Sequence, residues 1–216
     1  LTKVAVLYSN ASDYSTGLYN VFKEEFEKLG GEIITAEAYA GADTKDFKAQ
    51  LTAIKESGAE GIFFPNESAE IPLQIQQARE LGLEMELFGE MSWDNPLLPE
   101  LAGAEVLEGT HFVSLFAVDS SDPIAQKFVK AFQEKYNTNP NTQATMNYDS
   151  VMILVDALKR CGTAEDPAAF RDAIAATEID LPSGHLVFDE NRDPQKNANV
   201  MVYKDGQAAY VTSIAP

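Results

Sequence analysis

The sequence has a single cysteine, Cys161, and two histidines, His111 and His185. One cysteine excludes an internal disulfide and a cysteine-based zinc site, and so few histidines leave little for a histidine-rich metal centre. Basic residues are scarce too: 16 Lys and Arg face 34 Asp and Glu, giving a net charge of −18. That charge repels phosphate, which excludes a nucleic-acid partner and disfavours an anionic membrane surface. No apolar run approaches the roughly 18 residues that cross a bilayer. Glycine is missing where a nucleotide fold needs it. The turn after the first apolar run has none before Gly17, whereas G-x-G-x-x-G and P-loop turns use several to approach phosphate. There is no G-x-S-x-G elbow, and neither histidine sits in a triad context. His111 and His185 are therefore read as structural or exposed. The expectation is a chain with no cofactor and no metal, although acids are plentiful enough to leave a carboxylate-based hydrolase open.

What is present is ample core material. The chain has 216 residues, 45% of them hydrophobic, enough for one large domain or two small ones. Val4 to Tyr8 reads as a strand buried on both faces. Leu18, Val21, Phe22, Phe26 and Leu29 recur at helical spacing before Gly30-Gly31 stops them. Ile33 to Thr35 is a second strand. Asp43 or Thr44 is expected to cap a helix carrying Phe47, Leu51 and Ile54, stopped at Gly58. Gly61 to Phe64 is a third strand, and Ser68 is expected to cap a helix that ends at Gly82. Met85 to Phe88 and His111 to Phe116 are further strands. This alternation predicts an α/β unit with a mostly parallel sheet.

The second half has another rhythm. Asp122-Pro123 opens a helix with Ile124, Phe128, Val129 and Phe132 on one face. A long helix spans about 142–160, and a third about 167–176. Only then come strand-like pieces, at Leu186 to Phe188, Val200 to Tyr203 and Ala209 to Val211. Asp205-Gly206 is a hairpin turn between the last two. Helices this apolar need a sheet to cover, and the local strands are too few. The chain also opens Leu1-Thr2-Lys3 directly into its first strand, with no initiator Met and no signal peptide. It therefore reads as a fragment.

In an open parallel sheet, ligands bind outside the carboxyl ends of the strands. The loops at residues 9–14, 65–68 and 90–94 leave strands at that edge, so Tyr14, Asn66, Glu67, Ser68, Glu90, Met91, Trp93 and Asp94 converge there. Hydroxyls and amides can fix a polar ligand, a carboxylate can hold an ammonium group, and aromatic faces can pack an apolar part. Glu67 and Glu90 leave neighbouring strands, the arrangement a paired-carboxylate hydrolase would use. Asp189 to Asp193 starts like a calcium loop. Pro194 replaces its glycine and Val200 its final glutamate, so a polar turn is the better reading. Asn10-Ala11-Ser12 and Asn66-Glu67-Ser68 match the glycosylation tripeptide, which is frequent by chance. Cys161 reads as a small buried or half-buried side chain.

Several segments resemble the type I periplasmic binding proteins of the leucine/isoleucine/valine branch, whose members serve ABC importers. Asp13-Tyr14-Ser15-Thr16-Gly17-Leu18 is similar to the opening of their second lobe. Asp46-Phe47 with Leu51 and Ile54, Gln76 to Leu83, Asn147 to Ser150, and Ser183-Gly184 through Asp193 resemble further motifs in the family's order. The resemblance implies two α/β lobes that close on a ligand. The second, carboxyl-terminal lobe would take residues 1–117 and 198–216. Residues 118–197 would form part of the first lobe, whose opening segment is absent.

It also implies a binding protein, not an enzyme, with Tyr14 lining the pocket. Glu67 falls where amino-acid-binding members carry a tyrosine, and Met91 where they carry the acid for the ligand's ammonium group. Asn66, Ser68, Glu90 and Trp93 complete the expected ligand set. The implied partners are an amino acid or relative and an ABC permease, and a fragment would pair with a second copy to cover its exposed face. The implied location is the periplasm or the cell exterior, with lipid anchoring an option for the full-length protein. A sensor or receptor ectodomain of the same fold is the alternative.

Overall fold

The computed structural model describes residues 1–41 and 43–215, and the chain divides into two compact units. Unit 1 comprises Leu1–Val113 and Val202–Ala208; unit 2 comprises Ser114–Met201 and the chain from Ala209 onward. The chain thus changes unit after 113, after 201 and after 208. The boundaries expected from the sequence are 117/118 and 197/198, with no return at 208. The difference arises because continuous strands carry the chain through each change, so no turn or linker marks it.

Unit 1 alternates strand and helix. Its elements are β1 (Lys3–Ser9), α1 (Asp13–Lys28), β2 (Glu32–Tyr39), α2 (Lys48–Ser57), β3 (Gly61–Phe64), α3 (Ile71–Glu80) and β4 (Glu86–Gly89). A short turn at Met91–Trp93, the small helices α4 (Leu98–Ala102) and α5 (Ala104–Leu107), and β5 (His111–Ser114) follow. β1 pairs in parallel with β2 and β3, β3 with β4, and β4 with β5. With β9 (Ala198–Lys204) and β10 (Gln207–Ile214), the strand order is β10-β9-β5-β4-β3-β1-β2. The parallel α/β expectation is met.

Burial explains the order. Val4 to Leu7 and Ile62 are wholly inaccessible, as a strand covered on both faces requires. Period-two alternation sends Phe63 and Phe64 to opposite faces of the sheet. Phe63 stacks with Phe88 and meets Phe22 of α1, while Phe64 packs against Trp93. The Asp205-Gly206 turn has both residues at positive φ, 51° and 74°, the geometry of a two-residue hairpin.

Two expected caps are corrected. α2 starts at Lys48, its N-cap is Phe47, and no side chain caps it. The orphan amides are met by tertiary and local groups instead. Gln77 Oε1 accepts from Phe47 N at 2.7 Å, and Asp46 Oδ1 accepts from Lys48 N at 3.0 Å. α3 starts at Ile71 with Glu70 as N-cap, and Pro72 in its first turn needs no acceptor. Ser68 does not cap α3; it donates to Ser92 O at 3.3 Å.

Unit 2 contains α6 (Pro123–Tyr136), α7 (Thr142–Cys161), α8 (Pro167–Ala175) and an antiparallel sheet of β6 (Glu178–Leu181), β7 (Gly184–Phe188) and β8 (Pro194–Gln195). Asp122 and Asp166 each accept two backbone amides ahead of a proline at the first helical position, so both helix starts are stated locally. Phe116, Ala125 and Val129 form a buried cluster with Phe128 and Val118 against it. Elsewhere in unit 2 Ser183 donates to Asp149 and accepts from Lys196, whose side chains are both nearly inaccessible. Ile124, Tyr148, Val151 and Leu154 of α6 and α7 remain exposed.

Gly89 and Gly17 separate packing from propensity. A Cβ at Gly89 would lie 1.9 Å from Trp93 Nε1, whereas one at Gly17 in α1 meets nothing within 4 Å. Gly89→Ala should destabilise by about 1–3 kcal/mol or more through overpacking. Gly17→Ala should stabilise by roughly 0.5–1 kcal/mol through helix propensity. Urea unfolding checks both, and equal midpoints for the two variants would contradict the packing.

Candidate ligand-binding site

The carboxyl edge of unit 1 is fixed by a buried side chain, Asn66, which follows β3 and is fully inaccessible. Ser9 N donates to Ser15 Oγ at 2.9 Å, and Ser15 Oγ donates to Asn66 Oδ1 at 3.0 Å. Asn66 Nδ2 donates to Leu7 O at 2.8 Å and to Gln74 Oε1 at 2.9 Å. One amide therefore ties the end of β1, the start of α1, the end of β3 and α3 together. Its oxygen and both its amide hydrogens are engaged and the side chain is inaccessible, so Asn66 serves as scaffold.

On this scaffold stands Tyr14, in the first turn of α1. Ser12, the N-cap, accepts from Ser15 N at 3.3 Å and donates to Glu67 Oε1 at 3.1 Å. Tyr14 is 37% exposed, and its hydroxyl donates to Glu90 Oε2 at 2.6 Å. Glu90 Oε2 also accepts from Ser92 N at 2.9 Å. Glu90 is only 7% exposed, and its other oxygen, Oε1, is buried with no hydrogen-bond partner. Burial pushes the Glu90 carboxyl above its ordinary value; the Tyr14 and Ser92 bonds oppose this and the charge of Glu67 adds to it. Burial likewise raises the Tyr14 phenol, with Glu90 contributing next. Burial also raises Glu70, and Glu67 adds to that.

The expected residues thus separate into two groups. Tyr14, Glu67, Ser68 and Glu90 are linked through Ser12 and Ser92, and Met91 stands half-buried beside them. Asn66 and Trp93 are withdrawn into the core. Trp93 is fully buried against Phe64, so it offers no face to a solute. Ser12 and Ser92 were not among the expected residues. Ser12 carries a readable signal, a serine immediately before a helical pattern; Ser92 meets Glu90 through its backbone amide as well as its hydroxyl, and the backbone contact has no side-chain pattern to reveal it.

Features set aside in the sequence have ordinary roles. His111 Nδ1 meets Glu86 Oε1 and His185 Nδ1 meets Asp180 Oδ1, each at 2.7 Å. Asp189 Oδ1 accepts from Asn191 N and Asp193 N, a turn closed by its own side chain.

With this geometry in view, residues 1–208 match the periplasmic binding protein family. The chain belongs to that family. A leucine-, isoleucine-, valine-, threonine- and alanine-binding protein of Pseudomonas aeruginosa is 27% identical over 201 residues, covering 93% of this chain and 52% of its own. A crystal structure of a leucine-binding protein from Thermotoga maritima superposes with a TM-score of 0.91 at 32% identity, over all of this chain and 61% of that one. The branched-chain amino acid transporter substrate-binding protein of Streptococcus pneumoniae, in complex with isoleucine, gives a TM-score of 0.87 at 28% identity, over all of this chain and 60% of that one. These are proteins of the leucine/isoleucine/valine branch. This chain spans about half the length of the Pseudomonas relative.

The buried carboxyl has a consequence for stability. A group whose folded value is raised favours folding below its unfolded value, near 4.5, and that contribution is lost as pH rises through the folded value. Glu90→Gln keeps an oxygen for Tyr14 and removes the charge. Its melting temperature should exceed that of the native chain at pH 8, with the gap shrinking toward pH 4.5. A gap that widens on acidification would show that Glu90 is stabilised in its charged form.

Proposed function

We propose that this chain forms the ligand-binding part of a solute-binding protein of an ABC importer, acting outside the cytoplasm and delivering its ligand to a permease. In that reading unit 1 is the second lobe and unit 2 is part of the first. The observation that carries it is the Tyr14–Glu90 pair, held at the carboxyl edge of a parallel sheet with one carboxylate oxygen unpartnered. A desolvated acceptor beside a half-exposed aromatic ring suits a small polar solute bearing a donor. The names of the relatives support an amino acid or relative as that solute, and their being binding proteins supports capture without chemistry.

In this family's reading Tyr14, Glu67, Ser68, Glu90 and Met91 meet the ligand, while Asn66 and Trp93 act from behind. Tyr14→Ala should weaken binding by roughly 1–3 kcal/mol, because it removes both the ring and a donor to Glu90. Isothermal titration of the purified protein with the twenty common amino acids and small amines provides the measurement. If no solute binds the native chain, or if Tyr14→Ala leaves a measured affinity unchanged, the assignment fails.

A further inference from the structure

Two acids, Glu67 and Glu90, stand together on the proposed ligand face of unit 1. Glu67 and Glu90 follow the paired strands β3 and β4, and both act on the phenol of Tyr14. The ion pairs among the described residues involve neither of them. Glu67 is exposed and held by Ser12; Glu90 is withdrawn from water, its Oε2 doubly occupied and its Oε1 without a partner. The groups that face Glu90 are the Tyr14 hydroxyl from α1, Ser92 from the turn after β4 and the Glu67 carboxylate from the loop after β3. None is cationic. A zwitterionic aliphatic amino acid brings one ammonium group and a carboxylate, and its net charge is zero. It would leave one of the two acids unanswered.

Resting on the binding reading above, we propose that the solute is cationic overall. It is a small molecule with amine or guanidine groups in excess of its carboxylates, such as a diamine or a basic amino acid. One cationic group answers the charge of Glu90, a second meets the exposed Glu67, and the stem lies on the Tyr14 ring. Positive charge over an aromatic face is favourable in itself, and a cation relieves the cost of an unpaired buried carboxylate. Binding a cation also favours the ionised form of Glu90, so affinity rises with pH through the titration of that group.

The test is a set of nitrogen-15 amide spectra of the 216-residue protein, titrated in turn with putrescine, arginine and leucine. The expected result is localised shifts at Tyr14, Glu67 and Ser92, with putrescine and arginine acting at concentrations about tenfold or more below leucine. In Glu67→Gln, an exposed position, the advantage of the cations should shrink by about tenfold. Leucine acting at the same residues at equal or lower concentration would overturn the cationic class while leaving the binding reading in place. Shifts scattered over the acidic surface would mean counter-ion association and would also overturn it. No response at Tyr14, Glu67 and Ser92 to any solute would remove the binding reading itself.

Discussion

A carboxylate held away from water needs donors for both of its oxygens, and Glu90 has them for one. The edge of the sheet on which it stands is fixed by Asn66. Through Ser9, Ser15, Leu7 and Gln74 the Asn66 amide fixes two strand ends and two helices. The start of α1 is thereby set, and with it the reach of Tyr14. Trp93 closes the same edge from below, in a space that exists because position 89 is glycine.

Unit 2 manages buried charge differently. Asp149 and Lys196 oppose each other through Ser183, with burial raising the acid and lowering the amine. Such a pair holds α7, the β6–β7 turn and the approach to β9 in one arrangement. Its opposite charges are both present within the unit, yet one oxygen of Asp149, like one of Glu90, is buried without a hydrogen-bond partner.

Much of the fold was legible in the residues. The alternation of apolar strands with helices ended by Gly30, Gly58, Gly82 and Gly162 marks the order of elements. Asp122-Pro123, Asp166-Pro167 and Asp205-Gly206 state their caps and turn locally. The starts of α2 and α3 were not legible, because their amides are met by Gln77 or left to a proline, and sequence distance hides such partners. β6 was missed because Glu178 to Leu181 is half polar and becomes a strand only by pairing with β7. At the candidate site, chemistry at the strand ends pointed to Tyr14, Glu67 and Glu90, which the fold brings to one edge, but polarity alone placed Asn66 in the ligand set. An asparagine in a loop after a strand looks the same whether it faces water or knots the core.

The measurement that bears most directly on this account is a carbon-13 titration of the Glu90 side-chain carboxyl in the purified chain. Burial that outweighs the two hydrogen bonds accepted by Oε2 predicts a midpoint above the ordinary carboxylate value of about 4.5. A midpoint at or below that value would mean that Glu90 is solvated or already neutralised. The acceptor on which the site is built would then not exist.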